Sequence, residues 1–401
     1  MKKAILYKAA FILAAMMFAG CGSTSKTEET ANGSRTLFTD VTFTSESSYG
    51  EDYFHTGGTN YITKGQDGLY YYIDANEYCL KVFNPETGKS TVPCDKPDCD
   101  HIYQCDAHMD SFEYALESLY AYGGHLYAIR MTQGVYSLEQ MDLDGANRKN
   151  IGTLSNVKPG GKIVDYTVVF YNDSVYYNTF DENDREEDAL ICMSLQTGEK
   201  KSAVKCRDIE GKNVSVVKVY GDKLFFLAGK RSVVMNGQET GVQIDNIGLY
   251  EYDATDEKVF PVVRGNISGY AFDIREQKLY YSIIQEGLFC MDLQTKSEKK
   301  LVTYTDDYPY AYEVSVDEAY IYTVITNRKR GENSEDEKFA ITIYDKTGTK
   351  VRSLAYRNKK SSGRICYGDE KYIFLEKDSG VLNYMYIPKK EIETAQWIEK
   401  E

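Results

Sequence analysis

The stretch PCDKPDCDHIYQCDAH, Pro93 to His108, holds three of the nine cysteines and two of the four histidines in a chain of 401 residues. Three chemistries fit such a cluster. Cys94, Cys99 and Cys105 with either His101 or His108 would give four donors, the number that a closed tetrahedral zinc cage takes. Alternatively, two of the three cysteines bridge and the third is left over, as an oxidising compartment permits. A bridge closing a loop of this length gains on the order of 3 kcal/mol in the chain-entropy model. In the third reading the thiols stay reduced and the histidines are merely solvated. The spacing C-x4-C-x-H-x3-C is not a tight paired-knuckle pattern, so the sequence places the disulfide ahead of the metal and leaves both open.

Few other residues invite chemistry. His55, His101, His108 and His125 are all the imidazoles, so a Ser-His-Asp or Cys-His mechanism would have to borrow from the first third of the chain. No G-x-S-x-G, H-E-x-x-H or G-x-x-x-x-G-K-[ST] pattern occurs. In DENDREED (181–188), Asp181, Asn183, Asp184 and Glu187 could offer oxygens to calcium. Arg185 stands where such a loop wants an oxygen and the turning glycine is missing, so the segment reads as a solvated loop. A polysaccharide hydrolase or lyase would need a carboxylate pair, and among 61 acids no spacing singles one out. Cys192 and Cys290 sit at equivalent points of CMSLQTGEK and CMDLQTKSEK, and read as buried small hydrophobes. Cys206, in the polar KCRDIEGK, reads as open to solvent.

The N-terminus says where these residues go. Residues 1–20, MKKAILYKAAFILAAMMFAG, join a basic start to an apolar run, Ala9 to Ala19, too short to span a bilayer. Phe18-Ala19-Gly20-Cys21 and the polar stretch after it resemble the bacterial lipobox, with Phe18 where that box usually has leucine. The resemblance implies a signal peptide over 1–20, acylation of Cys21, and a flexible tether over 21–35. It also implies a protein held on the extracytoplasmic side of the cell membrane. Removing residues 1–20 takes three lysines and no acid, so the net charge moves from −14 to −17. Such a surface disfavours nucleic acid and anionic head groups.

The elements that must position the cluster are repeats. An aromatic pair after a turn recurs as GLYYYI (68–73), HLYAIR (125–130), SVYYNT (174–179), KLFFLA (223–228), KLYYSI (278–283), AYIYTV (319–324) and KYIFLE (371–376). A strand, polar turn and basic residue follow, as in KVFNPETGK (81–89) and IYDKTGTK (343–350). This is hairpin chemistry at a step of about fifty residues, the size of one small antiparallel sheet. The fold expected is all-β: one β-propeller domain over 36–397 with seven four-stranded blades, six or eight being the alternatives. TLFTDVTFTS (36–45) alternates like a strand and is expected to complete the last blade. The cysteine cluster falls between blades one and two.

These repeats are similar to YWTD-type and TolB-like propellers. Taken with the lipobox, the tether and Cys94-x4-Cys99-x-His101, the chain resembles a group of lipoproteins from anaerobic Gram-positive bacteria. That resemblance implies a fold and a location, and no established activity. The expected role is a binding module for a glycan, peptide or protein, touched by loops at one face. Tyr308, Tyr310 and Tyr312 of TDDYPYAY and the cysteine loop are the candidate contacts. The alternatives are the polysaccharide-acting enzyme and a metal-binding surface protein with zinc as the cofactor.

Overall fold

Neighbouring residues of a β-strand point to opposite faces of their sheet. A Tyr-Tyr or Phe-Phe pair therefore serves two gaps at once, and this is how the chain is built. In the computed structural model Tyr280 packs toward the following sheet, against Val314, Ile321 and Tyr344. Tyr281 packs toward the preceding one, with Phe225 and Leu249. Tyr176 and Tyr177 divide in the same way between two clusters, as do Phe226 and Phe225. Every aromatic doublet segment is the second strand of its sheet.

The structure describes residues 35–43, 62–74, 76–110, 113–156, 167–178, 188–236, 239–305, 310–326, 339–356, 365–378, 381–394 and 398–399. Among them are seven four-stranded antiparallel sheets, over 62–91, 114–156, 168–205, 212–264, 267–303, 310–356 and 365–399. We number these sheets 1 to 7. First strands lie innermost: Ile267–Asp273 is buried at every position, whereas the fourth strand of that sheet, Glu298–Thr303, has no buried residue. Each sheet covers the next, and sheet 7 returns to sheet 1 through Phe374 and Tyr386 against Tyr70, Tyr72 and Phe83. The result is a β-propeller. No helix among the described residues is long and apolar enough to cross a membrane.

The N-terminal segment does not complete the last sheet. All four strands of sheet 7 come from residues 365–399. Residues 35–43 instead lie between sheets 4 and 5, with Leu37, Val41 and Phe43 buried among Phe225, Val262 and Phe272. Phe38 N–H donates to Val262 O at 2.9 Å. Arg35 pairs with Glu286, between the second and third strands of sheet 5, and with Glu298 of its fourth strand, and Phe43 N–H donates to Gln277, between its first and second strands. The alternation was a true sign of one buried face; it carried no information about which sheets would cover that face.

The two ends of the ring differ. Turns joining first to second and third to fourth strands gather at one end and span two to nine residues. Connections from second to third strands, and from sheet to sheet, gather at the other and reach twenty-two residues in 92–113. We call this second end the loop end.

Candidate metal centre

The cysteine loop grows out of an interrupted strand. The fourth strand of sheet 1, Lys89–Thr91, is three residues long, whereas those of sheets 2 to 6 run six to eight. It pairs with the third strand through Val82 opposite Thr91. Continued by three residues, that register would set Cys94 opposite Cys79; His108 stands there instead. A fourteen-residue insertion, the difference between 108 and 94, thus splits the edge strand. Its far side is supplied by 107–109: Leu80 N–H donates to Ala107 O and Met109 N–H to Tyr78 O, each at 2.7 Å.

Inside the insertion, Cys94 Sγ, Cys99 Sγ, Cys105 Sγ and a ring nitrogen of His101 all lie within 4.8 Å of one another. The backbone turns on both sides of Cys99, since Asp98 (φ 57°) and His101 (φ 58°) are left-handed, a region in which Asp and His are enriched among non-glycine residues. Cys94, Cys99 and His101 are half-buried and Cys105 is buried. All three thiols are unbridged. A backbone N–H from His101 holds the Cys99 thiol below its ordinary range, whereas burial pushes Cys105 up to about 12.

The donor set fits a metal. Zinc–sulfur bonds of about 2.3 Å in a tetrahedron set sulfurs about 3.8 Å apart and a sulfur about 3.6 Å from an imidazole nitrogen. Cys105 Sγ and His101 Nδ1 stand 3.6 Å apart. His108 stands outside this group. Its ring packs on Tyr103 with centroids 5.1 Å apart, and its backbone extends the edge of sheet 1.

The exit of the loop is held separately. Arg148, from sheet 2, donates to Asp106 O at 2.5 Å, His108 O at 2.7 Å and the Tyr114 hydroxyl at 3.0 Å. Tyr114 in turn donates to the buried Glu139 at 2.9 Å. Ala107 and Met109 are fully buried with Leu80, Leu119 and Met141. Lys96 pairs with Asp106 across the loop.

Other expectations fared differently. Cys21, Asp181, Asn183, Asp184, Glu187 and Tyr308 lie outside the described residues. Tyr310 and Tyr312 belong to an inner strand, Tyr310–Val316, and not to a loop. Elsewhere, eight of the nine largest fully buried side chains among the described residues are tyrosines, so packing between sheets is a main use of this residue type. Cys192 is buried as expected, but so is Cys206, carried in beside Ile209. Five carboxylates are buried among the described residues, each in a different sheet: Glu139, Glu251, Asp273 and Asp369, which bond to Tyr114, Lys223, Lys346 and Tyr70, and Glu313.

No protein-family model and no curated protein matches the chain. Solved structures do. The crystal structure of the tricorn protease aligns with 88% of this chain at 12% identity and a TM-score of 0.52. The likeness is one of fold. This chain spans 35% of that protein's length. Apo AztD from Citrobacter koseri aligns with 76% of this chain and 88% of its own, at 11% identity and a TM-score of 0.38. The nidogen/laminin complex aligns with 71% of this chain and 92% of its own, at 10% identity and a TM-score of 0.39.

Proposed function

We propose that the chain is a lipid-anchored, extracytoplasmic binding module that engages a peptide or protein partner through the loop end of its propeller. One observation carries the reading. Six large apolar side chains are exposed among the described residues, and three of them, Tyr78, Ile102 and Tyr103, stand on the cysteine loop and the turn beside it. Met109 N–H bonds to Tyr78 O, and Tyr103 packs on His108, so the three belong to one local surface. Exposed apolar groups on a rigid support are the usual anchors of protein recognition.

The anchor is acylated Cys21, and residues 22–34 tether it to Arg35. Arg35 sits at the loop end, beside Glu286 and Gly265. The cofactor is zinc at Cys94, Cys99, His101 and Cys105, since three thiolates and one imidazole are donors that this ion binds as a closed tetrahedron.

Two measurements test the reading. Full-length protein should partition into detergent and a Cys21→Ser variant into water; equal partition would remove the anchor. Residues 22–401, screened against surface proteins, peptides and glycans, should capture a polypeptide ligand that Ile102→Ser/Tyr103→Ser loses. A ligand indifferent to that pair would move the contact elsewhere.

A further inference from the structure

The loop end of sheet 1 has two fastenings of different kinds. Residues 107–109 are tied by two backbone hydrogen bonds to the third strand, by the Arg148 guanidinium, and by the burial of Ala107 and Met109. Nothing there needs a metal. Residues 94–105 are held more lightly: Cys105 reaches the core with Cys94 and Cys99 at its edge, Lys96 pairs with Asp106 and Tyr103 packs on His108. Asp95, Lys96, Pro97, Asp98, Asp100, Ile102, Tyr103 and Gln104 are all exposed. The inward-facing groups are the three thiols and His101, and thiols are weak hydrogen-bond partners. With the donors gathered, Cys94 and Cys105 join the two ends of the excursion.

We propose that the loop is a metal-gated display: zinc held by Cys94, Cys99, His101 and Cys105 fixes residues 94–105 so that Ile102 and Tyr103 are presented, while the edge strand beneath keeps its place without metal. The inference rests on the zinc and loop-end readings above, and adds that metal supply regulates partner binding. Burial explains the division. Pulling out 107–109 would uncover the core shared with Leu80 and Leu119, whereas releasing 94–105 uncovers the small Cys105 side chain and the edges of Cys94 and Cys99, Ile102 and Tyr103 being exposed already. Ligands that meet only when the chain is folded around them make the ion part of the local fold.

The test uses residues 22–401 under reducing conditions, dialysed free of metal and then given one equivalent of zinc or cobalt(II). Cobalt should give thiolate charge-transfer and tetrahedral d–d bands; their absence would overturn the zinc reading itself. Hydrogen exchange should then separate the segments. The Cys105 amide, which bonds to Ile102 O at 2.7 Å, should exchange at least about tenfold faster without metal. The Leu80 and Met109 amides should exchange equally in both states. Chymotrypsin should cut after Tyr103 faster in the metal-free protein, and Cys99→Ser should behave as metal-free protein with an unchanged thermal melt. Metal that binds without protecting 94–105 would overturn the gating, as would loss of protection at Met109 on metal removal.

Discussion

The Tyr70 hydroxyl donates to Asp369 Oδ2 at 2.5 Å, joining residues 299 positions apart across the seam where the first and last sheets meet. Asp369 is fully buried, and it also accepts from the backbone N–H groups of Lys371 and Tyr372 and lies 3.3 Å from Lys64 Nζ. Among the described residues no strand is shared between the two ends of the chain, and the seam is held by such side-chain contacts and by the aromatic packing around them. Tyr70→Phe keeps the ring and leaves Asp369 its other partners, and should cost about 1.5 kcal/mol, the low end for a bond to a charged group. Asp369→Ala strips the turn as well and should cost more. Urea midpoints read both; a midpoint unchanged in Tyr70→Phe would mean the hydroxyl adds nothing to closure.

The N-terminal strap makes a second prediction. Arg35 donates through its backbone N–H and Nη1 to Glu298, whose side chain is only 6% exposed, and its guanidinium lies over the Phe289 ring. Arg35→Met removes the guanidinium and leaves a nearly buried carboxylate short of its counter-charge, at a cost of about 3 kcal/mol. The double variant Arg35→Met/Glu298→Met should regain much of that, because two apolar side chains suit this pocket. If the double variant is as unstable as the two single losses combined, the pair is not the fastening described.

Much of this fold is legible in the sequence because the aromatic doublets carry two constraints at once. Tyr280-Tyr281 must fill a gap on each face, and a recurring need of that kind implies stacked sheets. The inner first strands were harder to read, since Ile267–Asp273 has no doublet and is simply buried throughout. The strap was misplaced because Leu37, Val41 and Phe43 reveal a buried face and not its partner. At the cysteine loop the donors were legible and the choice of His101 over His108 was not. A signal for that choice exists: Ala107 and Met109 alternate with Asp106, His108 and Asp110, the pattern of a strand with one face buried, which assigns His108 to the sheet edge.

Stability should rise and then fall with alkaline pH. Burial holds the Lys389 ammonium down at about 8, against the pull of Asp317 and Asp369, although an unfolded lysine titrates near 10.5. Between these values the unfolded chain carries a proton that the folded chain has lost, so folding gains with rising pH, by at most about 1.4 kcal/mol per pH unit. Tyrosines act in the opposite sense. Burial pushes Tyr114 up to about 12 and raises Tyr71 and Tyr72 as well. Their contribution is complete below the unfolded value near 10 and is lost above it. The buried Cys79 thiol, pushed up to about 11 from an ordinary value of 9, acts in the same sense as the tyrosines from pH 9 upward. Urea midpoints from pH 7 to 11 should therefore peak near pH 9, and Lys389→Met should abolish the rise. A rise that survives in Lys389→Met belongs to another group.

Gly145 links the second sheet to the cysteine loop, and its backbone (φ 85°) leaves no room for a side chain. A Cβ there would meet Asp106 O at 2.5 Å, Asp106 C at 3.0 Å and Ala107 Cα at 3.1 Å, all of them backbone atoms that cannot rotate away. Gly145→Ala must therefore strain the left-handed turn and push the exit of the loop outward, where Arg148 now grips Asp106 O and His108 O. The cost should be about 2 kcal/mol, combining backbone strain with overpacking. It should fall locally: the Met109 amide, which bonds to Tyr78 O, should exchange faster, while amides of sheets 4 and 5 keep their protection. Arg148→Ala provides the comparison, since it frees the same carbonyls without a steric push. If Gly145→Ala leaves Met109 as protected as before, the contact between this turn and the loop is looser than 2.5 Å requires.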